Sequence, residues 1–274
     1  MSSTGAPSPA TANVPEYWED WLEKFYDKVK YSEFLYTDYS FIQNQDTPKG
    51  TRKKTAIIIE PRKHPLLKYV LANFMYFLVP KGWKFQIFCG TDNKDWLEIQ
   101  IKELSSECLI EITQLPYNNL NEVMYNILLT NSGFWKSIYN NPEYVLVFQT
   151  DCLLFKNDIE DYFKYDMIGA PWKHSPYRGC NGGFSLRNRK EMIKVCEENS
   201  YKYENEDGWF SYTNADKLKL PDLKDKMKFS METLYSPNST GMHAAYKHHF
   251  EEDIIKILEN HFDNIFNEKI KLKE

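Results

Sequence analysis

The run Thr55-Ala56-Ile57-Ile58-Ile59-Glu60, closed by Pro61, constrains this chain more than any other feature. It is β-branched and continuous, with no polar alternation. A strand of that kind must be buried on both faces, as in the middle of a parallel sheet covered by helices. Downstream, Leu66, Leu67, Val70, Leu71, Phe74, Met75 and Leu78 recur at spacings of three and four, which predicts a helix with one apolar stripe. Pro80 and Gly82 end it, and Lys84-Phe85-Gln86-Ile87-Phe88-Cys89 forms a second strand before Gly90. Strand, helix and strand in this order make a βαβ unit with parallel strands and a right-handed crossover.

The alternation continues. Helices are expected over 96–104, 120–129 and 134–139, a short strand over 109–112, and a third buried strand at Tyr144-Val145-Leu146-Val147-Phe148. The chain therefore reads as Rossmann-like to about residue 155. No G-x-G-x-x-G follows the first strand and no G-x-x-x-x-G-K-[ST] occurs, which disfavours a dinucleotide enzyme and a P-loop NTPase. After residue 165 the texture changes to glycine-rich loops and short strands, with helices at 189–198 and 250–272.

Residues 1–14 are Ser, Thr, Ala and Pro with little apolar content, and are expected to be disordered. Residues 15–54 combine an aromatic segment of one or two helices with a polar, basic linker. That segment suits packing on the core or binding a partner. Residues 55–274 then form one domain, a size compatible with a single large core.

A net charge of -5 argues against a nucleic-acid-coating protein, yet leaves room for a small phosphorylated ligand. The five cysteines, Cys89, Cys108, Cys152, Cys180 and Cys196, are scattered and form no C-x-x-C pair, so a reducing compartment is the simpler reading. The amino-terminal stretch lacks the pattern of a signal peptide, and the most apolar run, 69–79, is too short to span a bilayer. A cytoplasmic location is expected, and the sequon Asn238-Ser239-Thr240 reads as chance.

The segment Gln149-Thr150-Asp151 follows the third buried strand directly. Ligand sites in open α/β sheets lie at the carboxyl ends of strands, and a carboxylate there is placed to hold Mg²⁺ or Mn²⁺ against a diphosphate. An Asp that merely caps a loop would occupy the same position.

Phe148-Gln149-Thr150-Asp151, then Gly169-Ala170-Pro171-Trp172, Asn181-Gly182-Gly183-Phe184-Ser185-Leu186-Arg187, the pair Glu206-Asp207 and a late Gly241-Met242-His243 occur in that order. This series resembles a family of largely uncharacterised GT-A-like glycosyltransferases found in giant viruses and microbes; for a viral member, the cytoplasm would be the host's. The resemblance covers residues 55–247 and implies an α/β, GT-A-like fold, with a Rossmann-like nucleotide-binding half and a mixed central sheet flanked by helices.

It also implies roles. In GT-A enzymes an Asp-x-Asp motif binds the metal and the nucleotide diphosphate; here Gln149 replaces the first Asp and Asp151 remains as the metal ligand, with Thr150 between them. His243 resembles the late His that completes the metal shell, and Lys247 is placed to reach a phosphate, while His248 and His249 read as surface residues. Gly182 and Gly183 resemble the stretch that lies against the transferred sugar, where a missing Cβ admits a close approach. Asp207, or failing that Glu206, resembles the general base that takes the acceptor proton. Glu60 and Arg62 after the first strand, and Asp92 with Asn93 after the second, are the candidates for base, ribose or phosphate contacts.

The function implied is metal-dependent transfer of a sugar from a nucleoside diphosphate sugar, UDP-linked, to a hydroxyl on a glycan or other acceptor, with inversion. Mn²⁺ or Mg²⁺ and the nucleotide sugar are the expected ligands, with no nucleic acid and no transmembrane segment. Two rivals stay open. A nucleotidyltransferase also uses a Rossmann-like half, but Glu60-Pro61-Arg62-Lys63 lacks the glycines of its phosphate loop. A catalytically inactive nucleotide-sugar-binding protein would account for Gln149.

Overall fold

The computed structural model describes residues 14–30, 53–102, 104 and 110–267, with side chains described as far as 262. Residues 1–13 of the expected disordered stretch 1–14, and residues 31–52 of the expected aromatic segment and linker, lie outside the described residues.

Six strands form a mixed sheet in the order β3-β2-β1-β4-β7-β6. These are β1 (Lys54–Ile59), β2 (Lys84–Cys89), β3 (Ile110–Gln114), β4 (Tyr144–Val147), β6 (Met167–Gly169) and β7 (Ser185–Asn188). β1 pairs parallel with β2 and β4, and β2 with β3. β7 then runs antiparallel to β4, and β6 antiparallel to β7. The α/β class with a mixed sheet flanked by helices is thus realised, and the parallel half is the part read from the βαβ pattern.

The unbroken apolar runs are explained by the two layers that cover the sheet. Ala56 and Ile58 of β1 point into one core cluster, and Ile57 and Ile59 into the other. Tyr144 and Leu146 of β4 divide from Val145 and Val147 in the same way. Helices Leu67–Leu78 and Glu251–Asn267 cover the first face, and helices Glu122–Leu129, Ser132–Lys136 and Arg189–Glu198 the second. Element boundaries within the described residues agree with the sequence reading to within three residues, as at Lys94–Lys102 for the helix expected over 96–104. Among the described residues no helix is long and apolar enough to cross a membrane.

The helix Glu16–Val29 belongs to the first core. Trp18, Leu22, Phe25 and Val29 are buried at successive turns, and full burial of such side chains stabilises by roughly 1.5–3 kcal/mol each. Phe25 meets Phe262 edge-on with centroids 5.2 Å apart, and Trp21 meets the same ring at 4.2 Å. Trp18 packs edge-on against Tyr246, 5.0 Å away. Tyr246 lies between His243 and Lys247 in sequence, so this helix braces the segment that carries them.

A second, three-stranded sheet, β5-β9-β8, sits beyond the carboxyl end of β4. It comprises β5 (Cys152–Leu154), β8 (Ser230–Met231) and β9 (Gly241–His243). The chain passes from β4 to β5 through residues 148–151, so the Gln149-Thr150-Asp151 segment is the hinge between the two sheets. Asn73, a buried amide among the apolar residues of the helix Leu67–Leu78, donates to the Leu154 carbonyl at 3.0 Å and accepts from the Leu154 N–H at 2.8 Å. Phe148 stacks on Phe74 at 4.1 Å. Both ends of the hinge are thereby held to the helix Leu67–Leu78.

Candidate functional site

The hinge opens onto a cleft of about 280 Å³ lined by Glu60, Arg62, Tyr125, Gln149, Thr150, Asp151, His243 and Lys247, among others. Residues from the ends of β1, β4 and β9 converge there. Antiparallel pairing of β5 with β9 sets Cys152 opposite His243, which brings the imidazole beside Asp151 across more than ninety residues of sequence. His243 Nε2 lies 3.3 Å from Asp151 Oδ1 and 3.1 Å from Gln149 Oε1. Lys247 Nζ is 3.0 Å from Asp151 Oδ2. Ala244, in the left-handed region at φ 47°, donates its N–H to the Asp151 carbonyl at 2.9 Å.

Burial alone would raise the Asp151 carboxyl, but the His243 ring and the Lys247 ammonium hold it well below the usual carboxylate range. Burial would likewise lower His243, and the Asp151 and Glu232 carboxylates reverse this, raising it to about 10. The three side chains therefore form a tight charge cluster, and a metal on Nε2 would displace the proton that Asp151 holds there.

Asp151, Cys152 and His243 each offer a ligand atom, all within 4.8 Å of one another. Asp151 Oδ1 is buried and makes no hydrogen bond within the described residues. A carboxylate oxygen, an imidazole nitrogen and the Gln149 amide oxygen form a donor set that fits a cation such as Mn²⁺. Cys152 is not a natural member of it. Its thiol donates to the Gly183 carbonyl at 3.4 Å, and burial pushes it well above its ordinary value, so it stays protonated.

The end of β1 supplies a basic group. Glu60 receives Arg62 Nε and Nη2 at 2.7 Å each, and the Arg62 backbone N–H at 3.0 Å. Glu60 thus orients Arg62, and Arg62 Nη1 is buried without a hydrogen-bond partner among the described residues. Asn93, also buried, donates to the carbonyls of Glu60 and Arg62 at 3.0 and 2.8 Å and clamps this loop. Its neighbour Asp92 is exposed and is not among the residues that line the cleft; its backbone N–H donates to Asn118 Oδ1 and its Oδ1 accepts from the Thr91 hydroxyl.

The glycine loop lies behind the cation donors. A Cβ on Gly183 would overlap the His243 ring, and one on Gly182 would overlap the Glu206 carboxylate. Both positions therefore require glycine for close approach. The Gly182 N–H donates to Asp207 Oδ2 at 3.0 Å. Burial, then the neighbouring Glu206, pushes the half-buried Asp207 carboxyl up to about 7. Glu206 itself is buried, with both oxygens on Arg187 at 2.6 and 2.8 Å. The two acids of the pair thus have separate surroundings, and neither they nor Gly182 and Gly183 are among the residues that line the cleft.

Sequence reasoning missed Glu232, which bonds His243 Nδ1 at 3.2 Å, and Tyr125, whose hydroxyl is buried in the cleft wall. Glu232 follows a strand of two residues, too short to leave a periodic signal. Tyr125 sits on a helix whose lining face also carries Asn121 and Glu122. His248 is exposed, but His249 is half-buried with Nε2 on the Glu232 carbonyl at 2.6 Å.

Residues 109–243 match a family described as "Protein of unknown function (DUF5672)". That stretch holds the Gln149–Asp151 hinge, the glycine loop, Asp207 and His243. No curated protein matches the chain. Among solved structures, the chain is similar to a mannosyltransferase, PcManGT, from Pyrobaculum calidifontis in complex with GDP-Man and Mn²⁺, at 10% identity and a TM-score of 0.40. That alignment covers 69% of this chain but only 58% of the mannosyltransferase. It is also similar to the galactosyltransferase LgtC in complex with donor and acceptor sugar analogues, at 9% identity and a TM-score of 0.46, over 75% of this chain and 95% of that one. The glycosyltransferase GlyE of Streptococcus pneumoniae TIGR4 is similar at 10% identity and a TM-score of 0.43, over 80% of this chain and 66% of that one.

Proposed function

We propose that this chain is a metal-dependent glycosyltransferase that moves a sugar from a nucleoside diphosphate sugar, UDP-linked, to an acceptor hydroxyl with inversion at the anomeric carbon. The observation that carries this reading is the convergence of Asp151, His243 and Gln149 with the basic Arg62 and Lys247 on one cleft at the carboxyl ends of parallel strands. A diphosphate is the ligand whose charge and oxygen atoms answer both the cation donors and the Nη1 that Glu60 leaves unpaired on Arg62.

Asp151 and His243, with the Gln149 carbonyl, would hold Mn²⁺ or Mg²⁺. A cation held there would neutralise the charge that builds on the diphosphate as the sugar bond breaks. Arg62 presents Nη1 to a phosphate oxygen, held in orientation by Glu60. Lys247 exchanges its contact with Asp151 for one with phosphate. Asp207 accepts the proton of the attacking hydroxyl, and a carboxyl near 7 is matched to that task at neutral pH. Gly182 and Gly183 let the loop lie tight against the Glu206 carboxylate and the His243 ring.

Gln149 favours one second reading, in which the protein binds nucleotide sugars without turning them over. Incubation with a panel of nucleotide sugars, with and without Mn²⁺, tests both. Release of the nucleoside diphosphate that depends on Mn²⁺ is expected. Binding without turnover would favour the second reading, release of pyrophosphate from a nucleoside triphosphate and a sugar phosphate would favour a nucleotidyltransferase, and no binding at all would end the proposal.

A further inference from the structure

Glu232 enters none of the roles above, yet its carboxylate contacts both the His243 ring and Asn181 of the glycine loop. We propose that Glu232 is a positioning residue that fixes the His243 imidazole with Nε2 directed at the cation position and ties that ring to the glycine loop. This rests on the reading of Asp151 and His243 as metal ligands.

The register of the small sheet places it. β8 pairs parallel with β9, with Met231 opposite Met242, so the next residue, Glu232, lies beside His243. Its side chain is only 9% exposed. Oε1 lies 3.2 Å from His243 Nδ1 and accepts from Asn181 Nδ2 at 2.9 Å. A carboxylate oxygen facing a ring nitrogen accepts a hydrogen bond from it, so Nδ1 carries the proton. Nε2 faces Asp151 Oδ1 and Gln149 Oε1, and a cation there would take the place of the proton those oxygens attract. A ligating histidine whose other nitrogen donates to a carboxylate is held in tautomer and ring orientation, and is a more basic ligand.

Asn181 extends the link. While its amide donates to Glu232, its Oδ1 accepts from the Gly183 N–H at 2.7 Å. Gly183 lies against the imidazole face, and Gly182 donates to Asp207. One buried carboxylate therefore holds together the metal-side ring and the loop that meets Asp207. The backbone of Glu232 is fixed as well: its carbonyl accepts from His249, and Thr233 Oγ1 accepts the Lys173 N–H at 2.9 Å.

Titration with Mn²⁺ alone, followed by the electron paramagnetic resonance of the free ion, tests this in the full chain. Glu232→Ala is expected to weaken Mn²⁺ binding by about 10–100-fold. Glu232→Gln, whose carbonyl can still accept from Nδ1, should recover part of the loss. Equal affinity in Glu232→Ala and wild type overturns the role of Glu232 and leaves the metal reading intact. No Mn²⁺ binding by wild type overturns the metal reading and this assignment with it. If Glu232→Ala does not fold, ¹⁵N resonances of the wild-type His243 ring with Cd²⁺ decide the matter. Cadmium on Nε2 with a proton on Nδ1 is expected, and the reverse arrangement overturns the assignment.

Discussion

Arg187 closes a bidentate ion pair with Glu206 at 2.6 and 2.8 Å, and the guanidinium is fully buried. The pair lies between the Trp135 and Phe210 rings, at 5.5 and 5.6 Å from the guanidinium carbon. Glu206 also draws Asn126 Oδ1 onto its backbone N–H at 3.0 Å. Breaking a buried pair by removing one partner costs about 3–5 kcal/mol, because the other charge is left uncompensated. Glu206→Gln and Arg187→Met should each lower the denaturation midpoint strongly. A midpoint within a degree of wild type in both would show that the pair is not holding this part of the core.

Asp207 should behave in the opposite way. Asp207→Asn is expected to keep the fold and donor binding while transfer falls by roughly two to four orders of magnitude. The wild-type rate should rise with pH through about 7, since a base must be ionised to act and burial holds this carboxyl up. The same shift opposes folding: its cost is absent below the ordinary aspartate range, grows as pH rises toward 7 and is complete above it. Initial rates from pH 5 to 9 would check this, and a flat profile would remove Asp207 from the role of base.

Asp151→Ala should abolish Mn²⁺-dependent binding of a nucleoside diphosphate, measured by calorimetry. His243→Ala should weaken the same binding less, as one donor among several. Unchanged affinity of Asp151→Ala in the presence of metal would rule out the hinge as the cation site.

Gly183→Ala places a methyl group where the His243 ring now lies. The ring must move, so Mn²⁺ affinity should fall by tenfold or more while Gly82→Ala, at a left-handed turn with open space around it, alters stability only. Titration of both variants with Mn²⁺ checks the contrast. Equal affinities would mean that the ring position does not matter to the cation.

Phe25→Ala should destabilise by about 3–5 kcal/mol, the usual cost of removing a buried ring. Phe25 contacts Tyr76 and Phe262, on two different helices. Chemical denaturation gives the value, and a loss below 1 kcal/mol would show that the helix Glu16–Val29 is not part of the core.

The pattern of local burial was legible in the sequence. The Thr55–Ile59 and Tyr144–Val147 runs and the stripe from Leu66 to Leu78 report their surroundings directly, because burial on two faces or on one stripe dictates side-chain type residue by residue. The position of Asp151 at a strand end was legible for the same reason. What tertiary structure alone decided is which groups meet. Glu206 and Asp207 are adjacent and chemically alike, and only the placement of Arg187 separates an ion-pair partner from an acid held near 7. Asp92 and Arg62 both follow strands, and only the path of the loops puts one on the cleft and the other outside it. Glu232 gained its place from the register of a two-residue strand. These outcomes depend on contacts across tens of residues, where electrostatics and hydrogen bonding fall off within a few ångströms and leave no period in the chain.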